Sequence, residues 1–92
     1  MPRILVKLYT TLKLRLNKGQ LWVDGKTAAD ALRAVVEAGG PEVAKIMLDE
    51  QGVVRNEFLL TLDSEVLDRK SLGQVELKDD NVLHIFPPIS GG

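Results

Sequence analysis

The 92-residue chain contains no cysteine. That excludes a disulfide scaffold, a thiol nucleophile and a thiolate metal site, and suits a reducing compartment. Histidine is nearly absent too: His84 is alone. A Ser-His-Asp arrangement would need it, yet nothing in the sequence puts a nucleophile and an acid beside it. With one imidazole and scattered carboxylates, no metal site is expected. Charge is balanced, with 12 basic and 13 acidic side chains and a net charge of −1. This argues against a nucleic-acid or membrane-surface footprint. No apolar run approaches the roughly 20 residues of a membrane span. Met1-Pro2-Arg3-Ile4 lacks the shape of a signal peptide, so a cytoplasmic protein is expected. Repeats and low-complexity segments are also missing.

What is present is 45% apolar residues, enough for one small core and one domain. Arg3 to Tyr9 alternates: Ile4, Val6 and Leu8 share one face of a strand, and Leu5, Lys7 and Tyr9 the other. The alternation returns at Leu12, Leu14 and Leu16, followed by the turn signal Asn17-Lys18-Gly19. Gln20 to Asp24 forms another strand with Leu21 and Val23 together and Trp22 opposite. A hairpin over residues 3–24 is expected. Either its first strand runs long and turns at Asn17–Gly19, or the chain turns at Thr10-Thr11 and again later; the register stays open. Lys13, Arg15 and Lys18 read as a solvated basic strand edge.

Thr27-Ala28-Ala29-Asp30 has the form of a capping box. Ala28, Ala31, Leu32, Val35 and Val36 then make an apolar stripe suited to covering a sheet. Gly39-Gly40 ends this helix, and Pro41 opens a short one over Glu42–Leu48, with Val43, Ile46 and Met47 inward. Phe58–Leu62 is a strand, Asp63-Ser64-Glu65 a turn, and Val66-Leu67 a brief pairing. Ser71-Leu72-Gly73 gives a helical turn near Leu77. Val82–Phe86 is the last strand; Leu83 and Ile85 face the core, and Val82, His84 and Phe86 face away. The pattern alone supports an α+β sheet with one main helix.

After Phe86, Pro87 and Pro88 stop the strand because proline has no N–H for a ladder. Ile89, Ser90, Gly91 and Gly92 follow. Two glycines make the slimmest peptide a chain can present. Six residues from Pro87 to Gly92 reach roughly 20 Å when extended, enough to enter a channel in another protein. The run Phe86-Pro87-Pro88-Ile89-Ser90-Gly91-Gly92 resembles the C-terminus of the molybdopterin synthase small subunit family. These are ubiquitin-like sulfur carriers, related to the thiamine sulfur carrier and to small archaeal protein modifiers. Leu77-Lys78-Asp79-Asp80-Asn81-Val82-Leu83 is similar to that family's approach to its last strand, with Asp80 where the family has glycine and Asn81 where it has aspartate. The region Leu62-Asp63-Ser64-Glu65 departs from the family's Asn-Gly turn, and residues 41–57 carry few family motifs.

The resemblance implies an α+β, ubiquitin-like β-grasp: a mixed sheet of four to five strands covered by one main helix, with the last strand central and parallel to the first. It implies a β-grasp domain over 1–86 and a flexible reactive tail over 87–92. By the same resemblance, a ubiquitin-activating-type enzyme is expected to adenylate Gly92 with ATP, and a sulfur donor protein to convert it to a thiocarboxylate. Gly91, Ser90, Ile89, Pro88 and Pro87 thread the partner's channel. No cofactor is bound by the chain itself. The Pro-Pro pair favours the molybdopterin branch, with a molybdopterin synthase large subunit as partner. Phe86 and Trp22, on the open sheet face, are the expected partner interface. Other readings stay open: a sulfur carrier for another pathway (thiamine, tRNA thiolation), a modifier joined through Gly92 to lysines, or a β-grasp binding module whose tail is inert.

Overall fold

The computed structural model describes residues 1–88. In chain order the elements are β1 (Arg3–Leu8), α1 (Thr10–Leu16), β2 (Gln20–Asp24), α2 (Ala28–Met47), β3 (Leu59–Leu62), β4 (Glu65–Val66), a 3-10 turn (Leu72–Gln74) and β5 (Val82–Phe86). The five strands form one sheet in the order β2-β1-β5-β3-β4. β1 and β2 pair antiparallel from Arg3↔Asp24 to Lys7↔Gln20. β5 lies between β1, to which it is parallel from Leu5↔Val82 to Leu8↔Ile85, and β3, to which it is antiparallel. This is the β-grasp arrangement expected, with the last strand in the centre.

One sheet face packs under α2. Ile4, Val6, Leu8, Val23, Leu60, Leu83 and Ile85 meet Ala28, Ala31, Leu32, Val35, Val43 and Met47 there, all buried. The helix begins where the sequence placed it. The Thr27 hydroxyl accepts from Asp30 N at 3.3 Å. The Asp30 carboxylate accepts from Thr27 N at 3.2 Å and from Lys26 N at 3.0 Å. Three backbone N–H groups at the helix start, those of Lys26, Thr27 and Asp30, are thereby satisfied.

Residues 10–16 differ from expectation. They form α1, not a continuation of the first strand, so β1 ends at Leu8 and the basic residues Lys13 and Arg15 lie on a helix. The leucines at 12, 14 and 16 share a face at strand period, but Leu12 and Leu16 also share one at helical i,i+4 spacing. The core chooses the second option: Leu12 is fully buried, Leu16 packs at its margin, and Leu14 is 80% exposed. Asn17 then closes the turn in the left-handed conformation, φ 57°.

The break in α2 falls at Gly40 (φ 75°, ψ −167°), which no helix admits. Pro41 resumes the helix, as the sequence suggested, and the two segments run on to Met47. Gly39 has a separate reason for its composition. A Cβ there would sit 2.6 Å from Val43 Cβ, so the close approach of the two turns requires glycine. The β3–β4 connection is a two-residue loop, Asp63-Ser64, with both residues at positive φ (48° and 85°). That is the handedness of a type I′ hairpin turn. Glu65 therefore belongs to β4, and Leu67 N still bonds Leu60 O at 2.9 Å.

Candidate functional site: the exit of the central strand

β5 is paired along both sides, so its end is fixed in direction. The last ladder position is Leu59↔Phe86; Pro87, half-buried, and Pro88, exposed, then stop the pairing. Ile89, Ser90, Gly91 and Gly92 lie outside the described residues. The start of β5 is equally constrained. Val82 N donates to Asp63 Oδ1 at 2.9 Å, and Asp63 N donates to Val82 O at 3.0 Å. The Asn81 side-chain amide donates to Asp63 Oδ2, and Asn81 Oδ1 accepts from Lys78 N at 2.6 Å. Asp80 adopts φ 75° in this turn, so the geometry survives the replacement of a glycine by aspartate. A carboxylate at Asp63 thus couples the β3–β4 hairpin to the central strand.

On the open face, strand alternation puts Leu5, Trp22, Val82, His84, Phe86 and Leu59 together. Tyr9 joins them immediately beyond β1. Its ring stacks on Phe86 (centroids 4.6 Å, 13° between planes), and His84 lies 5.7 Å from Phe86 and 5.9 Å from Tyr9. The Tyr9 hydroxyl and His84 Nδ1 share a hydrogen bond of 2.8 Å. His84 is therefore a half-buried structural imidazole. Tyr9 was not singled out from sequence. Its parity with Leu5 and Lys7, combined with a parallel β1–β5 register, would have found it.

Phe86 and Trp22 do share the open face, but they are not adjacent. Trp22 stands opposite Leu5 on the edge strand, and Leu5 stands opposite Val82. Two strand spacings and four residue rises separate Trp22 from Phe86, roughly 16 Å. Trp22 is 56% exposed, whereas Phe86 is half-buried beneath the Tyr9 ring. Leu59, 46% exposed beside Phe86, and Val66, 68% exposed on the far edge, extend the apolar surface. Among the described residues no group of three or more His, Asp or Glu side chains could hold a metal ion, and no helix is long and apolar enough to cross a membrane.

What the region offers is a rigid, aromatic-braced strand end.

No protein-family model and no curated protein sequence matches the chain. Solved structures do. The chain is similar to SAMP1 from Haloferax volcanii, with 26% identity, 98% of this chain and 99% of that one covered, and a TM-score of 0.86. It is also similar to small archaeal modifier protein 1 from Methanosarcina acetivorans, with 23% identity, 100% and 98% covered, and a TM-score of 0.80. A Pyrococcus furiosus protein provisionally described as molybdopterin converting factor, subunit 1, matches at 16% identity, 97% and 100% covered, and a TM-score of 0.71. Urm1 from Trypanosoma brucei shares the same architecture. The fold is the ubiquitin-like β-grasp.

Proposed function

We propose that the chain is a ubiquitin-like sulfur carrier that acts through Gly92, in the cytoplasm. Residues 1–86 are the platform and 87–92 the tail. The observation that carries this reading is the central β5, locked on both sides and ended by Pro87-Pro88 four residues before Gly92, in the sequence Pro-Pro-Ile-Ser-Gly-Gly. A partner that grips the platform then receives the tail in a fixed direction, which lowers the entropy of bringing Gly92 to a reacting group.

In the proposed reaction a Gly92 carboxylate oxygen attacks the α-phosphate of ATP on a ubiquitin-activating-type enzyme, and pyrophosphate leaves. Sulfur delivered by a donor protein at the sulfide level, as hydrosulfide, attacks the acyl carbon, the bond to AMP breaks, AMP leaves, and a thiocarboxylate remains. ATP is bound by the activating enzyme, not by this chain. Gly91, Ser90, Ile89, Pro88 and Pro87 thread the partner's channel, and Phe86 and Trp22 meet the partner. The finer proposal is the small subunit of molybdopterin synthase, with the large subunit as sulfur-accepting partner. It is supported by the Pro-Pro-Ile-Ser-Gly-Gly tail and by the likeness to the Pyrococcus protein.

A second reading, a modifier joined to lysines through the same activated Gly92, is favoured by the high structural similarity to small archaeal modifier proteins. Intact-mass analysis of the protein from its host, or after incubation with the host's activating enzyme, ATP and a sulfur source, separates the two. Replacement of one oxygen by sulfur at Gly92 is the expected result. A Gly92–lysine branch on other proteins, without that replacement, supports the modifier. A carboxylate unchanged under all these conditions overturns both.

A further inference from the structure

The helix side of the molecule carries a groove of about 350 Å³, away from the strand exit. It runs between the first half of α2, the 48–54 loop and residues 69–73. Its floor is aliphatic: Leu32, Val54 and Leu72 are buried there, and Val36 and Leu48 are half-buried at its surface. Its rim holds three cations, Arg33, Arg69 and Lys70, and no carboxylate lines it.

The nearby acids are already engaged. Asp30 caps α2 and pairs with Arg33 at 3.2 Å. Asp49 accepts from Gln51 N at 2.8 Å and Val53 N at 3.0 Å. Arg69 is held differently: its Nη1 donates to Val54 O at 3.1 Å across the groove. One bond fixes the guanidinium and leaves its other N–H donors for a ligand. Neither Arg69 nor Lys70 is ion-paired within the described residues.

We propose that this groove docks an acidic peptide segment of a partner protein, with an aliphatic side chain on the floor and a neighbouring carboxylate on Arg69 and Lys70. Charge complementarity selects the occupant. An aliphatic floor rewards an apolar side chain, and a fixed guanidinium favours a planar carboxylate, which it can grip with two parallel hydrogen bonds. The volume lies at the low end of the roughly 300–1,000 Å³ of ligand pockets. The groove is open along its length, and its lining has no aromatic ring on which a nucleobase could stack. These features suit side chains projecting from a peptide better than a nucleotide. Because the groove and the Tyr9–His84–Phe86 stack lie on opposite sides of the sheet, a partner held here leaves the strand exit clear for a second protein.

The test is a titration of the full-length, isotope-labelled chain followed by NMR. The probes are acetyl-Asp-Glu-Leu-Glu-Asp-amide, the same peptide with lysine in place of each acid, and decanoate. The expected result is saturable shifts of the Val36, Val53, Val54 and Leu72 amides with the acidic peptide alone, at weak affinity and diminishing with salt. Arg69→Gln should weaken binding roughly tenfold, the scale of a charge-assisted hydrogen bond. Because that change also removes the Val54 contact, Lys70→Glu serves as the second variant. Lys70 is exposed, so the free spectrum should keep its dispersion while binding falls severalfold. The proposal is overturned by the absence of saturable shifts, by equal shifts with the basic peptide, by decanoate binding where the acidic peptide does not, or by undiminished affinity in both variants.

Discussion

Ser64 and Asp80 hold φ angles of 85° and 75°, conformations in which an L side chain crowds its own backbone. Glycine at either position relieves that crowding, although it gives the unfolded chain more freedom. The net expectation for Ser64→Gly is a gain of about 0.5–1 kcal/mol, seen as a melting temperature several degrees higher. Asp63 has a similar φ of 48° but the opposite prognosis. Its carboxylate holds Val82 N and the Asn81 amide, so Asp63→Gly should lower the melting temperature; a rise would remove the coupling role assigned to it. Hydrogen bonds also set the response to acid. The Asp30 carboxyl is held below its usual value chiefly by the backbone N–H groups of Lys26 and Thr27. Asp49 is lowered chiefly by those of Val53 and Gln51. A carboxyl depressed in the folded state binds its proton more readily when unfolded. Its contribution is therefore complete above the ordinary aspartate value near 3.8 and is lost as pH falls through the lower folded value. Urea midpoints measured between pH 7 and pH 2 should decline over that window, and the Asp49→Asn variant should decline less.

At the scale of elements, the tightest constraint is the contact of Gly39 with Val43. Gly39→Ala forces a methyl into a filled space and should destabilise by about 1–3 kcal/mol. In a Val43→Ala background the same change should cost much less, and simple additivity of the two would remove the steric account. The elements also divide by legibility. The α2 start was readable because Thr27 and Asp30 are three residues apart and each satisfies a backbone donor of the other. The helix break was readable from Gly39-Gly40-Pro41, and β5 from Leu83 and Ile85 alternating with polar or half-exposed neighbours. α1 was not readable, because Leu12 and Leu16 satisfy a strand and a helix equally and only packing breaks the tie. The two-residue turn at Asp63-Ser64 was obscured for a related reason: neither residue is the glycine that usually announces positive φ. Tyr9 needed the parallel register of two strands far apart in sequence, which local pattern does not contain.

Across the whole molecule, the proposed partner face can be separated from the folding core by exposure. Trp22→Ala removes a mostly exposed ring and should change stability by less than about 0.5 kcal/mol. Phe86→Ala removes a ring stacked on Tyr9 and should destabilise by a measurable 1 kcal/mol or more. If both residues meet a partner, activation of Gly92 by the host enzyme slows in both variants; undiminished rates in the folded Trp22 variant remove Trp22 from the interface. The open face and the strand exit were thus accessible from parity and proline alone. The apolar contribution of Leu59 and the aromatic stack emerged only once the strands were ordered. The central position of β5 also bears on biosynthesis. β1 is made first and β5 follows every other strand, yet the two are neighbours through the middle of the sheet. Leu83 and Ile85 together represent roughly 3–6 kcal/mol of burial, a large share of the about 5–15 kcal/mol that holds a domain folded. A nascent chain that stops at Asn81 leaves β1 and β3 with nothing between them. Folding during translation must therefore wait for β5, and a prematurely terminated product is left open to proteolysis.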